Sequence, residues 1–181
     1  MAQVLIPLAD GCEEMEAVIV TDVLRRAGIT VMTAGLTADV ITASRDVRLV
    51  PDVCWEDVDA SDYDMIILPG GLDGTEALCQ HAGVQQAVEE FAKSGKRIGA
   101  ICAASLALYR AGILQNRAFT CYPGIEKMMD NTVIRSNERV VEDGNLITSQ
   151  GPGTAFEFAL KIVEQLTNTE TATRVAEGML V

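Results

Sequence analysis

The chain has 181 residues, 49% hydrophobic and 22% charged, enough for one domain over 1–181 with a substantial core and too few for two. Fourteen basic against 26 acidic residues give a net charge of -12, which repels nucleic-acid phosphates and anionic membranes and excludes stable binding of either by charge. No window of 18 uninterrupted apolar residues occurs, and the start "MAQVLIPLADGCEEMEA" has no basic n-region and reaches Asp10 and Glu13 too early for a secretion signal, so a cytoplasmic protein is predicted.

"QVLIPLA" (3–9) has the length and apolarity of a buried strand, and "EEMEAVIVTDVLRRAG" after it has helical period, closing at Gly28. "ITVMTAG" (29–35) reads as a second strand and "VITASRDVRLVPD" (40–52) as two short strands around a turn. "YDMIILPGG" (63–71) is a buried strand stopped by Pro69 and two glycines, with a helix predicted over 84–95. "RIGAIC" then runs into the helix "AASLALYRAG". A short strand near "AFTCY", a helical piece at 124–129 and the strands "RVVED" and "NLITSQ" follow. Two helices close the chain, each with a capping-box pattern, Thr154 with Glu157 and Thr167 with Glu170. Strands alternating with helices predict a mostly parallel sheet covered on both faces, with ligands at the carboxyl ends of the strands.

Three of those strand ends carry chemistry: "LADGCEEME", "LPGG" and "AICAAS". A strand turning sharply into a helix at Cys102 would hold its sulfur above the sheet, near the free amides and positive dipole end of the helix, and both favour thiolate. Ala100, Ala103 and Ala104 suit so tight a turn. Gly70 and Gly71 allow close backbone approach, and the amides of Gly71 and Ala103 could form an oxyanion-type donor pair. Glu16 stands over Val23 and beside Ile19 and Val20, on the apolar stripe of its helix, whereas Glu14 shares a face with Thr21 and Arg25. A carboxyl on an apolar stripe must be protonated or bonded, and beside a thiol it would act as a general acid. Glu13 and Glu14 fit an acidic helix start that interacts with the dipole.

The stretches "GCEEMEAV", "DVLRRAGI", "ASRDV", "YDMIILPGG", "AICAAS" and "LITSQGPGTAFEFAL", in order over nearly the whole chain, resemble the ThiJ/PfpI superfamily, within it the branch of the Parkinson-associated protein deglycase and its bacterial relative YajL. The resemblance implies a flavodoxin-like three-layer α/β sandwich, a homodimer and no cofactor. It implies Cys102 as the reactive cysteine and Glu16 as the protonated acid hydrogen-bonded to its sulfur. Gly71 and Ala103 follow as backbone donors, with Arg26 and Arg45 near the site or the dimer interface. The activities implied are removal of methylglyoxal or glyoxal adducts from proteins and nucleotides, or glyoxalase chemistry without glutathione; the alternatives are a redox-sensing thiol that climbs to the sulfinic acid and a holdase chaperone.

The chain departs from that pattern where human-type relatives place a histidine before proline: here stands Tyr122, before Pro123. Directly after the thiol, where the peptidase branch has histidine, stands Ala103. The single histidine, His81, reads as a surface residue, so a Cys-His dyad is disfavoured. Ser105 stands where several relatives have proline. Five cysteines without CxxC spacing disfavour a disulfide framework and a zinc site. Among them Cys121 is expected to line the pocket as a second oxidisable thiol, Cys54 to be exposed, Cys12 to lie on the loop leading to Glu16, and Cys79 to pack within its helix. "GPGT" (151–154) reads as structural.

Overall fold

The computed structural model describes residues 2–37 and 39–181. The chain begins with β1 (Gln3–Leu8), α1 (Glu14–Arg26) and β2 (Thr30–Gly35), then β3 (Ile41–Thr42), β4 (Arg48–Leu49) and β5 (Val53–Cys54). The centre holds β6 (Met65–Leu68), α2 (Leu72–Gln80), α3 (Ala82–Lys93), β7 (Arg97–Ile101) and α4 (Ser105–Arg110), and the last third holds β8 (Val140–Asp143), β9 (Leu146–Ser149), α5 (Ala155–Leu166) and α6 (Thr169–Met179).

Seven strands form one sheet in the order β5-β2-β1-β6-β7-β9-β8. All pairings are parallel except that of β8 with β9, while β3 and β4 form a separate antiparallel ladder. Side chains alternate between faces with the period of two that a pleated strand imposes. In β6, Met65 and Ile67 join the core under α1 and α5, and Ile66 and Leu68 join the core under α2, α3 and α4. Strand β6 is accordingly apolar throughout, as a strand buried on both faces must be, whereas the edge strand β8 carries Glu142 and Asp143. The result is the three-layer, flavodoxin-like sandwich, with β1 and β6 adjacent where the strand order reverses, the position at which such sheets open a crevice at their carboxyl ends.

Several local expectations are corrected. The strand near "AFTCY" reduces to one isolated bridge between Phe119 and Arg135. Neither capping box forms: Thr154 turns its hydroxyl to Ser149 and Gly151, and Glu157 pairs with Arg139 at 2.7 Å. At α6 the cap is Asn168, whose side chain accepts from the Thr171 N–H at 2.8 Å, while Thr167 donates back to Val163. Helix α2 escaped the periodicity because "LDGTEALCQ" carries a glycine in its first turn. Gly74 is there for close packing: a Cβ on it would lie 2.6 Å from the backbone nitrogen of Cys12.

Candidate active site

The loops after β1, β6 and β7 converge at the carboxyl edge of the sheet. Strand β7 ends at Ile101, and the next residue, Cys102, has φ 64, a left-handed conformation that costs a non-glycine residue about 1–3 kcal/mol. That strain bends the chain into a single 3-10 turn over Cys102–Ala104 before α4 begins. Ala103 and Ala104 are buried in the bend, and Ser105 anchors it by donating its hydroxyl to the Thr120 carbonyl at 3.0 Å. Cys102 itself is only partly buried, and its thiol opens into a cavity of about 410 Å³.

Glu16, in the first turn of α1, has no exposed surface. Its Oε2 accepts the Gly70 N–H at 2.7 Å, a contact between residues 54 apart in the chain. Burial pushes the Glu16 carboxyl up to about 7, against the lowering effect of the Gly70 amide. The carboxyl lies against the Cys102 thiol, and the two groups perturb each other. Burial pushes the thiol up to about 12, and a charged Glu16 adds to the rise, while the backbone N–H groups of Ala103 and Gly71 pull the other way. A thiolate drawn out by a helix dipole is thus corrected. The six residues of α4, set behind a 3-10 turn, provide too little dipole to outweigh burial and the neighbouring Glu16 carboxyl, whose buried Oε1 has no hydrogen-bond partner among the described residues.

Gly71 is held at φ 85, where a side chain would run into the Gly11 carbonyl oxygen and within 2.6 Å of the Glu13 nitrogen. Only glycine brings this amide to the sulfur. The cavity is further lined by Arg45, Tyr122, Ile125 and Pro152. Arg45 reaches it through an anchor that its sequence position does not reveal: Glu14, almost fully buried, accepts the Arg45 N–H at 2.9 Å and sits 2.8 Å from the Ser44 hydroxyl. Burial opposes the Glu14 charge, but these donors more than offset it and hold the carboxyl below its ordinary value. The signal available in the sequence was only the pair Glu13 and Glu14, read there as an acidic helix start.

Other expected residues fall elsewhere. Arg26 pairs with Asp22 on the exposed side of α1, at 2.7 Å, and does not line the cavity. Cys121 is fully buried beneath Tyr122, its sulfur 3.9 Å from Glu126, and does not line the cavity either. Burial, with the Glu126 charge, pushes that thiol up to about 11. Cys12 is also buried, and Cys54 and Cys79 are partly so. His81 caps α3 through its Nδ1, which accepts from Val84 at 3.3 Å, and stacks edge-on with Trp55. Among the described residues no cluster of three or more His, Cys, Asp or Glu could hold a metal ion, and no helix is long and apolar enough to cross a membrane.

A thiol on a strained strand-to-helix turn at the carboxyl edge of a flavodoxin-like sheet, with a buried carboxyl against it, defines the nucleophile-elbow class of α/β protein. The DJ-1/PfpI family matches residues 2–165, and the chain belongs to that family. Protein dj-1beta of Drosophila melanogaster is 44% identical over 98% of this chain and 96% of its own length. Its crystal structure superposes with a TM-score of 0.94, covering 99% of this chain and 98% of that one. The Caenorhabditis elegans glutathione-independent glyoxalase DJR-1.2 is 40% identical over 93% of this chain and 90% of its own. A structure of Toxoplasma gondii DJ-1, oxidized, is 35% identical with a TM-score of 0.94, covering 99% of this chain and 98% of that one.

Proposed function

We propose that the protein is a DJ-1-type stress-protection enzyme that acts through Cys102 on 2-oxoaldehydes such as methylglyoxal and glyoxal, or on their adducts with proteins and nucleotides, without glutathione. The observation that carries this reading is the buried Glu16 carboxyl, held by Gly70 against the Cys102 sulfur with a pKa raised to about 7, where one group can both give and take protons. The likeness to a glutathione-independent glyoxalase supports it.

The Cys102 S–H adds across the aldehyde C=O: a bond forms between sulfur and carbon, and the thiol proton reaches the oxygen through Glu16. The amides of Gly71 and Ala103, already at the sulfur, lie where negative charge grows on that oxygen. The Glu16 carboxylate then takes the proton from C1 of the hemithioacetal and returns it to C2, while the hydroxyl proton on C1 passes to the oxygen on C2. The product of this isomerisation is a thioester of lactate. Water, deprotonated by Glu16, attacks the thioester carbonyl, the carbon–sulfur bond breaks, and lactate leaves as the sulfur regains its proton from Glu16. With a hemiaminal adduct as substrate, the Cys102 sulfur replaces the amine or nucleotide nitrogen at C1, the C1–N bond breaks, the departing nitrogen takes up the thiol proton through Glu16, and the same hemithioacetal results. Steady-state lactate release from methylglyoxal in glutathione-free buffer, absent in Cys102→Ser prepared free of contaminating glyoxalase, is the expected result; equal release by both proteins would sink the reading.

A second reading has support from the same sulfur facing an open cavity and from the likeness to an oxidised DJ-1 structure. Peroxide, as oxidant, would transfer two oxygens to Cys102 in two steps, each releasing water, to give a sulfinic acid next to Glu16. The altered protein would then act on partners without turnover.

A further inference from the structure

The side chain of Tyr122 has no partner for its hydroxyl among the described residues, and the residue is 52% exposed. Its backbone, by contrast, is fixed. The Tyr122 N–H donates to the Cys102 carbonyl at 3.2 Å, Pro123 confines the residue to extended backbone, and Arg135 clamps the preceding carbonyl of Cys121 at 2.9 Å. A ring with rigid backbone and no polar tether can move only by side-chain rotation.

That ring borders two cavities. On one side is the 410 Å³ space above Cys102. On the other is a second cavity of about 230 Å³, lined by Pro123, Arg139, Gln150, Gly151 and Thr154. Gly151 marks the narrows between them: a Cβ on it would lie 3.2 Å from Cδ2 of Tyr122 and 4.0 Å from the Cys102 sulfur. Tyr122 thus lines both cavities, and Gly151 lies against its ring and close to the Cys102 sulfur.

We propose that Tyr122 is a specificity-determining residue, a wall that confines the reactive sulfur to small electrophiles and whose removal joins the two cavities into one site open to bulkier ones. The inference deepens the proposed function, since it sets which carbonyl compounds Cys102 accepts, but it concerns access to the sulfur and does not require turnover.

The test compares alkylation of Cys102 by iodoacetamide and by N-phenylmaleimide, followed by peptide mass mapping to separate it from the other four thiols, in the wild type, Tyr122→Ala and Tyr122→Phe. The ratio of bulky to small reagent should rise about tenfold or more in the alanine variant, the scale on which a pocket wall discriminates, and stay at the wild-type value in the phenylalanine variant, which keeps the ring. The iodoacetamide rate itself reports that the site is intact. An unchanged ratio in Tyr122→Ala, or the same rise in Tyr122→Phe, would overturn the proposal. Turnover provides the second arm: kcat/KM for phenylglyoxal relative to methylglyoxal should rise in parallel. A raised alkylation ratio with no turnover by any variant would support the wall and remove the oxoaldehyde reading.

Discussion

The substitution Glu16→Gln separates the cost of burying a carboxyl from its use. Glutamine keeps the shape: its carbonyl oxygen can accept the Gly70 N–H, and its amide can donate toward the Cys102 sulfur. What it loses is the charge and the proton. The Glu16 carboxyl rises from an ordinary 4.5 to about 7 on folding, which at 1.36 kcal/mol per pH unit amounts to about 3 kcal/mol. Because the folded value is the higher one, the contribution to stability is full below pH 4.5, where both states are protonated. It declines as pH rises toward 7, since the unfolded chain ionises first, and is lost above about 7. The glutamine variant has no such slope. Urea unfolding of both proteins at pH 4.5 and pH 8 isolates the term, because titrating groups that do not couple to Glu16 cancel in the double difference and the Cys102 thiol stays protonated at both pH values. The variant should gain about 3 kcal/mol on the wild type between the two pH values. A gain below about 1 kcal/mol would show that Glu16 ionises as an ordinary carboxyl, and the burial argument would fall. In the same variant, turnover should drop by about 10²- to 10⁴-fold, and the rise in wild-type activity through a pH of about 7 should disappear. Normal turnover would refute the proton-transfer role whatever the stability data show.

Gly71→Ala should destabilise the fold by about 2 kcal/mol or more, since φ 85 is strained for alanine and the Cβ meets backbone on the β1–α1 loop; a melting temperature within 2–3 °C of the wild type would contradict the close approach. Mild peroxide should add oxygen to Cys102 before the buried Cys12 and Cys121 or the partly buried Cys54 and Cys79, by virtue of its cavity; mass mapping with Cys54 modified first would count against that ordering. Met15 and Val18 on α1, with Val47 and Val50 beside the β3–β4 ladder, leave an apolar surface that a second copy of the chain would cover. Light scattering at micromolar concentration should give twice the 19.4 kDa chain mass, and a monomer would overturn the homodimer that the family resemblance implies.

Reading the residues alone located β1, β6 and β7 and the helices α1, α3, α4 and α5, because strands buried on both faces are continuous apolar runs, and these helices keep a 3.6-residue period. The same local patterns singled out Cys102 and Glu16: the thiol falls where one period gives way to the other, and the carboxyl lies on an apolar stripe. Helix α2 stayed hidden because its composition is set by contact with the Cys12 backbone rather than by propensity. Cys121 and Cys102 are alike as sequence symbols, yet only the fold turns one inward toward Glu126 and the other into a cavity. Glu14 and Glu16 are two residues apart, and burial alone would raise both. Tertiary partners set them at opposite ends: donors from the 44–45 loop keep Glu14 ionised, while Glu16 meets one amide and a thiol. Periodicity and turn residues are properties of neighbours along the chain and are written in it directly. The protonation state of a buried group depends on desolvation and on partners as far as 54 residues away, and these exist only once the sheet has brought its carboxyl ends together.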